Sequence, residues 1–383
     1  MASLLRDRPA TTPAMLAALG DETLLRAALA FEAALARAEA AEGLIPATAA
    51  EAIAEVCAGA VFDIAELAEE AAHAGTLAIP LVARLRGLLA ERDPAASQLV
   101  HKGATSQDLA DTALMLQARA GSDLVLAQAR NLTHALADLA ETHAETPMLG
   151  RTLLQGALPI TFGLKAAGWL VGVDGARRRF EREAAHALQL QLGGAAGTLA
   201  GLELAVTDRM AAQLGLKAPP LPWHANREGM AGLAAALAIQ VGEVGKIARD
   251  LSLLAQNEVA EAFEPRVAGR GGSSAMAHKR NPTGCQVALS AATRAPGLVA
   301  GILAGLPQEH ERGLGGWQAE APALASLFEL ADGALTAITP VIQGLEVDTE
   351  AMARNLAAAR VGHDVGQSVT LVRRALDHYR KEA

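Results

Sequence analysis

The chain has 383 residues, 51% of them hydrophobic, enough for a large core and more than the usual length of one domain, so two or three domains are expected. Only 3% are aromatic while alanine and leucine dominate, so the core must be built from small and medium aliphatics, as closely packed helices allow, and the fold class read from composition is all-α. A formal charge of −9 supplies no general basic field, which argues against nucleic acid and anionic membrane surfaces as partners and leaves any anionic substrate to be caught by local cations.

The N-terminus, "MASLLRDRPATTP", carries charge where a signal peptide needs an apolar core, and the longest apolar run, "GLVAGILAGL" at 297–306, is about half a membrane span. A soluble cytoplasmic protein is expected. Cys57 and Cys285 are far apart, lack metal-ligand spacing and fit a reducing compartment. Asp21 can cap a helix in which Leu24, Ala28, Phe31, Leu35 and Ala38 recur at four- and three-residue steps, and Gly43 with Pro46 ends it. Shorter helices, broken at Pro80 and Pro94, complete an N-terminal helical domain over 1–105. The helical pattern then runs without proline from Leu109 to Glu145, and again from Leu233 to Phe263, where Leu237, Val241, Val244, Ala248, Leu251 and Ala255 make a coiled-coil-like seam. At 1.5 Å per residue that second helix would be roughly 45 Å long. Helices of this length outrun the core of one small domain, and their small-residue seams invite packing against other subunits, so a homo-oligomer is expected. Pro296 should kink or divide a further helix. These helices form a central bundle, 106–345, and the short charged remainder, 346–383, leaves room only for a small C-terminal cap.

Four polar stretches interrupt the apolar pattern: "HKGATSQD" at 101–108, "GRTLLQGALP" at 150–159, "PWHANRE" at 222–228 and "GGSSAMAHKRNPTG" at 271–284. Singly, each has a plain structural account. Thr105, Ser106 and Asp108 could cap the helix that starts at Leu109, and Gly271 and Gly272 could be connectors. Together, their hydroxyls, amides and cations around a helix bundle make a donor-rich site suited to carboxylates. None has the spacing of a metal site. "GGAAGTLAG" at 193–201 lacks the Gly-Lys-Ser/Thr ending of a phosphate loop and reads as close helix packing or backbone contact near a ligand. Glu258 falls on the apolar seam, where it can pair with a neighbouring helix or serve the site; Trp223 and Trp317 read as core or wall residues.

The segment "GSSAMAHKRNP" at 272–282 resembles the signature loop of the fumarase/aspartase superfamily, and "HKGATSQD" and "GRTLLQGALPITFG" resemble its other two site regions, in the expected order. The resemblance runs from the first long helix to about residue 325. Within the superfamily, "GATSQDLADTA", "LQLGGAAGTLA", "PWHANRE", "KIARDLSLLAQNEVAE" and "QEHERGLGGWQAE" are most similar to the 3-carboxy-cis,cis-muconate cycloisomerases. The resemblance implies three helical domains, a central bundle that assembles into a homotetramer, active sites each built from three subunits, and neither metal nor organic cofactor. It also implies that Ser273 is the carbon acid/base, with Lys279 six positions on, and that Lys279 and Asn281 hold a substrate carboxylate. His101, Thr105 and Ser106, Arg151 and Gln155, and Ser274 and Met276 follow as substrate-binding positions. A tricarboxylate needs further cations, for which His224, Arg227 and Arg312 are candidates; of the two arginines Arg312 is the more readily explained as structural, since "HER" can cap or pair within a helix. His278 is read as shaping the loop.

Two departures discriminate among superfamily reactions. The fumarase and adenylosuccinate lyase type carries a histidine after "GRT" and a glutamate five residues beyond the loop asparagine; here Leu153 and Gln286 stand at those positions. Ala277 also replaces the usual proline. Expelling hydroxide or a purine amine requires a proton on the leaving group, and a general acid contributes about 10²–10⁴-fold. A carboxylate, whose conjugate acid has a pKa of roughly 4, leaves or attacks without one. The expected reaction is therefore closure of 3-carboxy-cis,cis-muconate, a small tricarboxylate, to a carboxymuconolactone. One carboxylate adds to the diene, Lys279, Asn281 and loop amides stabilise the enediolate, and Ser273 protonates carbon. The alternatives are a lyase of the adenylosuccinate or argininosuccinate type releasing fumarate, and a non-catalytic structural homologue.

Overall fold

The computed structural model describes residues 4–272 and 279–382. The expectations placed on Ser273, Ser274, Met276, Ala277 and His278 lie outside the described residues.

Helix α1 (Asp21–Ala41) follows the apolar periodicity, with Ala28, Phe31, Leu35 and Ala38 buried. Gly20, not Asp21, is its N-cap; Asp21 lies in the first turn, where its charge meets the positive end of the helix dipole. Gly43, at φ 72°, turns the chain, and Pro46 becomes the N-cap of α2 (Ala47–Gly59). Helix α3 (Ile64–Ala74) starts on Asp63, whose carboxylate accepts from the amides of Ala65 and Glu66. Pro80 does not break a helix: it sits in the first turn of α4 (Ala78–Ala90), where no intrahelical donor is required.

The long helix α5 (Ser106–Thr142) has 37 residues and spans about 55 Å. A hairpin that the helical reading did not anticipate follows, β1 (Pro147–Thr152) and β2 (Gln155–Thr161), and leads into α6 (Phe162–Ala187). Next come α7 (Leu204–Leu214), α8 (Glu228–Leu254), β3 (Ala262–Phe263), α9 (Thr283–Ala304), α10 (Glu320–Gln343), β4 (Glu346–Val347), α11 (Thr349–Ala359) and α12 (Ser368–Glu382). Helices α5, α6, α8, α9 and α10 pack side by side into one bundle, α1 leans on α5, and α12 lies along α6. Strand β4 pairs antiparallel with β3, Ala262 opposite Val347. The fold is all-α apart from these short strands.

Helix α8 is shorter than its pattern. It stops at Leu254; Ala260 adopts φ 52° and the Glu261 amide reaches back to the Leu254 carbonyl at 2.9 Å, reversing the chain. Ala255 is thus the C-cap, and Glu258 lies in the turn, off the seam. Leu237, Val241, Val244, Ala248 and Leu251 are buried within the chain itself, so this seam does not face another subunit. Pro296 leaves α9 undivided; it sits on an exposed face, where the carbonyl it deprives of a donor can be solvated. Counted as whole helices rather than unbroken runs, α8, α9 and the segment Trp317–Gln343 are long and apolar enough to cross a membrane. The first and last bury 61% and 67% of their apolar windows inside the chain, whereas α9 buries only 22%.

Candidate active site

The first polar stretch gathers at the N-terminus of α5. Asp108, fully buried, accepts four hydrogen bonds: at Oδ1 from the Gly193 amide (3.0 Å) and His224 Nε2 (2.6 Å), at Oδ2 from the amides of Gly194 (2.9 Å) and Thr105 (2.9 Å). It therefore ties the 193–201 loop, the start of α5 and the "PWHANRE" stretch together. Gly194 can accept this role because it sits at φ 69°, and a Cβ there would meet the Gly103 carbonyl oxygen at 2.6 Å. Arg312 closes the assembly. Its Nη1 donates to Thr105 Oγ1 (2.8 Å) and its Nη2 to the carbonyls of Gly194 (3.0 Å) and Ala195 (2.8 Å), while Nε is buried without a partner among the described residues. Ser106 is the first residue of α5, half-buried beside Thr105.

His224 and Arg227 require a correction. Both are buried, at 2% and 1% exposure, and neither reaches solvent where a ligand could enter. Arg227 donates to Asp111 (2.8 and 2.9 Å) and to Glu320 (Nη2 at 2.5 Å) under the face of Trp223, whose ring centroid is 4.6 Å away. Burial opposes its charge, but the two carboxylates outweigh burial and hold the guanidinium firmly protonated. Arg227 is thus structural, because two buried carboxylates already neutralise it, whereas Arg312, also tied into the fold, meets only a hydroxyl and carbonyls and keeps its charge uncompensated among the described residues. Asp111 and Glu320 were not legible as its partners.

His101, at φ 60°, places its Nδ1 2.6 Å from Glu32 Oε1 on α1. Burial by itself lowers the pKa of the ring; the hydrogen bond and charge of Glu32, helped by Asp108, bring it above the ordinary histidine value. Glu32 was missed in the sequence, although Glu32 and Glu39, seven apart within an apolar stripe, were a signal that could have found it.

The second stretch is the hairpin. Thr152 pairs with Gln155, which leaves Leu153 and Leu154 as a two-residue turn with φ 49° and 62°. Positive φ at both positions is what a type I′ turn requires. Both leucines project into solvent, 96% and 75% exposed, and Gln155 beside them is exposed. Arg151 anchors the hairpin through a bidentate pair with buried Glu261 (2.8 and 2.7 Å), which also accepts from Asn355 Nδ2 (2.7 Å). In this chain its guanidinium is engaged in the fold rather than free for a substrate.

The fourth stretch borders a cavity of about 590 Å³ lined by Glu264, Arg266, Arg270, Lys279, Arg280 and Asn281, among others. The Glu264 carboxylate caps α9, accepting from the amides of Gly284 (3.0 Å) and Cys285 (2.8 Å). Arg280 is held by Glu346 (2.8 Å) and stacks 5.2 Å from the Phe263 ring centroid. Asn281 donates its backbone amide to the Gly271 carbonyl (2.8 Å), and Lys279 is exposed. Four cations thus stand against two carboxylates, Glu264, which a helix terminus already satisfies, and Glu346, which holds Arg280, so the cavity keeps an excess of positive charge that suits an anion. Gln286 is exposed on α9.

The structure brings Thr105, Arg312 and the 193–195 backbone together, and Lys279 with Asn281. It does not bring these two groups to each other: among the described residues no hydrogen bond or ion pair joins them. The first group stands at one end of α5 and the hairpin follows its other end, about 55 Å away.

Known proteins resemble this chain over most of its length. The family profile described as Lyase matches residues 8–297. The chain is 50% identical over 363 residues to 3-carboxy-cis,cis-muconate cycloisomerase of Bradyrhizobium diazoefficiens, covering 94% of this chain and 80% of that protein. It is 44% identical over 351 residues to nitrosuccinate lyase of Streptomyces davaonensis, covering 89% and 74%. The crystal structure of 3-carboxy-cis,cis-muconate lactonizing enzyme from Pseudomonas putida superposes with a TM-score of 0.88 at 42% identity, over 99% of this chain and 88% of that one. With a fold, a signature loop and relatives in accord over nearly its whole length, the chain belongs to the Lyase family, within the fumarase/aspartase superfamily.

Proposed function

We propose that the protein is a cycloisomerase that closes 3-carboxy-cis,cis-muconate to a carboxymuconolactone. The observation that carries this reading is the leucine at the hairpin tip. By the superfamily resemblance Leu153 stands where members that protonate a leaving group carry a histidine, and the lining of the cation-rich cavity includes no histidine among the described residues. A hairpin tip without an acid suits an oxygen that is stable as an anion, which a carboxylate is at neutral pH. In the proposed mechanism the substrate carboxylate adds to the diene, Lys279 and Asn281 stabilise the enediolate that forms on a second carboxylate, and Ser273 delivers a proton to the neighbouring carbon. Arg312 and His101 hold a further carboxylate. Because the groups of one chain are held apart by α5, each complete site takes its parts from more than one copy, as in a homotetramer.

The 44% identity to a nitrosuccinate lyase supports a second reading, since nitrite, like carboxylate, leaves without protonation. The test is loss of the diene ultraviolet absorbance of 3-carboxy-cis,cis-muconate, run beside nitrosuccinate, adenylosuccinate and argininosuccinate. Turnover of the muconate is expected, with Ser273→Ala lowering it by about 10²–10⁴-fold. Nitrite release without muconate turnover would select the second reading, and fumarate release from either amine adduct would overturn both.

A further inference from the structure

Glu32 lies outside every polar stretch, in the buried stripe of α1, yet it makes one of the shortest contacts to a candidate site residue: Oε1 is 2.6 Å from His101 Nδ1. Its side chain is 1% exposed, and Oε2 has no partner among the described residues. A carboxylate at this depth is expensive unless paired with a cation or donor, so the contact constrains both groups. The carboxylate can only accept, so the Nδ1 of His101 carries the proton. Nε2 has no hydrogen-bond partner among the described residues, and the side chain keeps 13% exposure. His101 sits at φ 60°, in the left-handed region, two residues before Gly103 and four before Thr105.

We propose that Glu32 is a positioning residue: it clamps the imidazole of His101 through Nδ1 and thereby reserves Nε2 as the donor to a substrate carboxylate. The inference rests on the reading above, in which His101 meets substrate. The charges facing the ring are Glu32 and Glu39 from α1, Asp108 from α5 and Arg86 from α4, with Lys102 adjacent in sequence. Carboxylates predominate, which favours the imidazolium, whereas burial disfavours it. Removing Glu32 leaves burial less opposed. His101 then loses its charge at a lower pH, and a substrate carboxylate loses a cationic partner in the range where the native ring still carries one.

The test is binding of propane-1,2,3-tricarboxylate by calorimetry in half-unit steps from pH 5.5 to pH 8, for the native protein, Glu32→Gln and Glu32→Asp, with KM and kcat measured in parallel. Glu32→Gln should weaken binding about tenfold in the pH range where the native ring is still charged and that of the variant is not, and less than about twofold at pH 5.5, the cost of one charge-assisted contact. KM should move more than kcat, and Glu32→Asp should recover part of the loss. A loss equal at every pH, or none anywhere in the series, overturns the proposal, because a purely structural role would not follow the charge of His101. If Glu32→Gln does not fold, nitrogen NMR of the native protein labelled at histidine decides, with His101 assigned through His101→Asn. A ring protonated on Nδ1 and still cationic above pH 6.5 supports the clamp; a neutral ring protonated on Nε2 overturns it. Failure of the native protein to turn over 3-carboxy-cis,cis-muconate refutes the cycloisomerase reading, and there, as where the tricarboxylate does not bind, the ring titration decides the clamp by itself.

Discussion

Glu39, two turns beyond Glu32 on the same face of α1, is fully buried, and neither of its oxygens has a partner among the described residues. Burial pushes its carboxyl from the ordinary 4.5 up to about 7, with Lys102 opposing and Glu32 reinforcing the rise. The unfolded chain releases this proton near pH 4.5 and the folded protein only near 7. Between those values the folded state holds a proton that the unfolded state has lost, so stability falls as pH rises through the window, by about 3 kcal/mol, and levels off above it. Glu39→Gln removes the titration. In urea unfolding the variant should gain on the native protein steadily from pH 4.5 to pH 7 and hold a constant advantage above; a difference independent of pH would show that the buried carboxyl is already ionised at pH 5.

At the scale of elements, the hairpin is the least economical piece of the chain. Leu153 and Leu154 both sit at positive φ, which glycine and asparagine tolerate and leucine does not, at about 1–3 kcal/mol each, and both expose apolar side chains. A turn built against local preference points to a use for its tip. Replacing the pair with Asn-Gly, Leu153→Asn with Leu154→Gly, should raise stability by about 1–3 kcal/mol while lowering kcat/KM by at least about tenfold. Unchanged turnover in the stabilised variant would mean the leucines have no part in the site. The same hairpin marks where the sequence stopped being legible. The long helices were readable because their apolar residues repeat at helical spacing over many turns, and the polar stretches because cations and hydroxyls stand out against alanine and leucine. The hairpin carries no Asn-Gly signal and too little alternation. The ion pairs of Arg227 join residues 93 and 116 positions apart, and no spacing rule tells a buried arginine from one that faces a ligand.

The whole molecule poses a geometric problem that one chain does not solve. Thr105 and Arg312 stand at one end of α5, the hairpin with Leu153 follows the other end about 55 Å away, and no hydrogen bond or ion pair among the described residues links Thr105 to the cavity beside Lys279. A substrate of three carboxylates is far smaller than these separations. Helix α9, with only 22% of its apolar window buried, supplies a surface whose burial would drive copies together. If each site draws the Thr105 group from one copy and the Lys279 group from another, two inactive variants can rescue each other. Thr105→Val and Lys279→Met should each be nearly inactive alone. Assemblies formed from equal amounts of both should recover activity in about one site in four, since each group then has an even chance of coming from an intact copy. Light scattering should find the active species larger than one chain. Mixtures no more active than their separate components would place both groups of a site in a single chain.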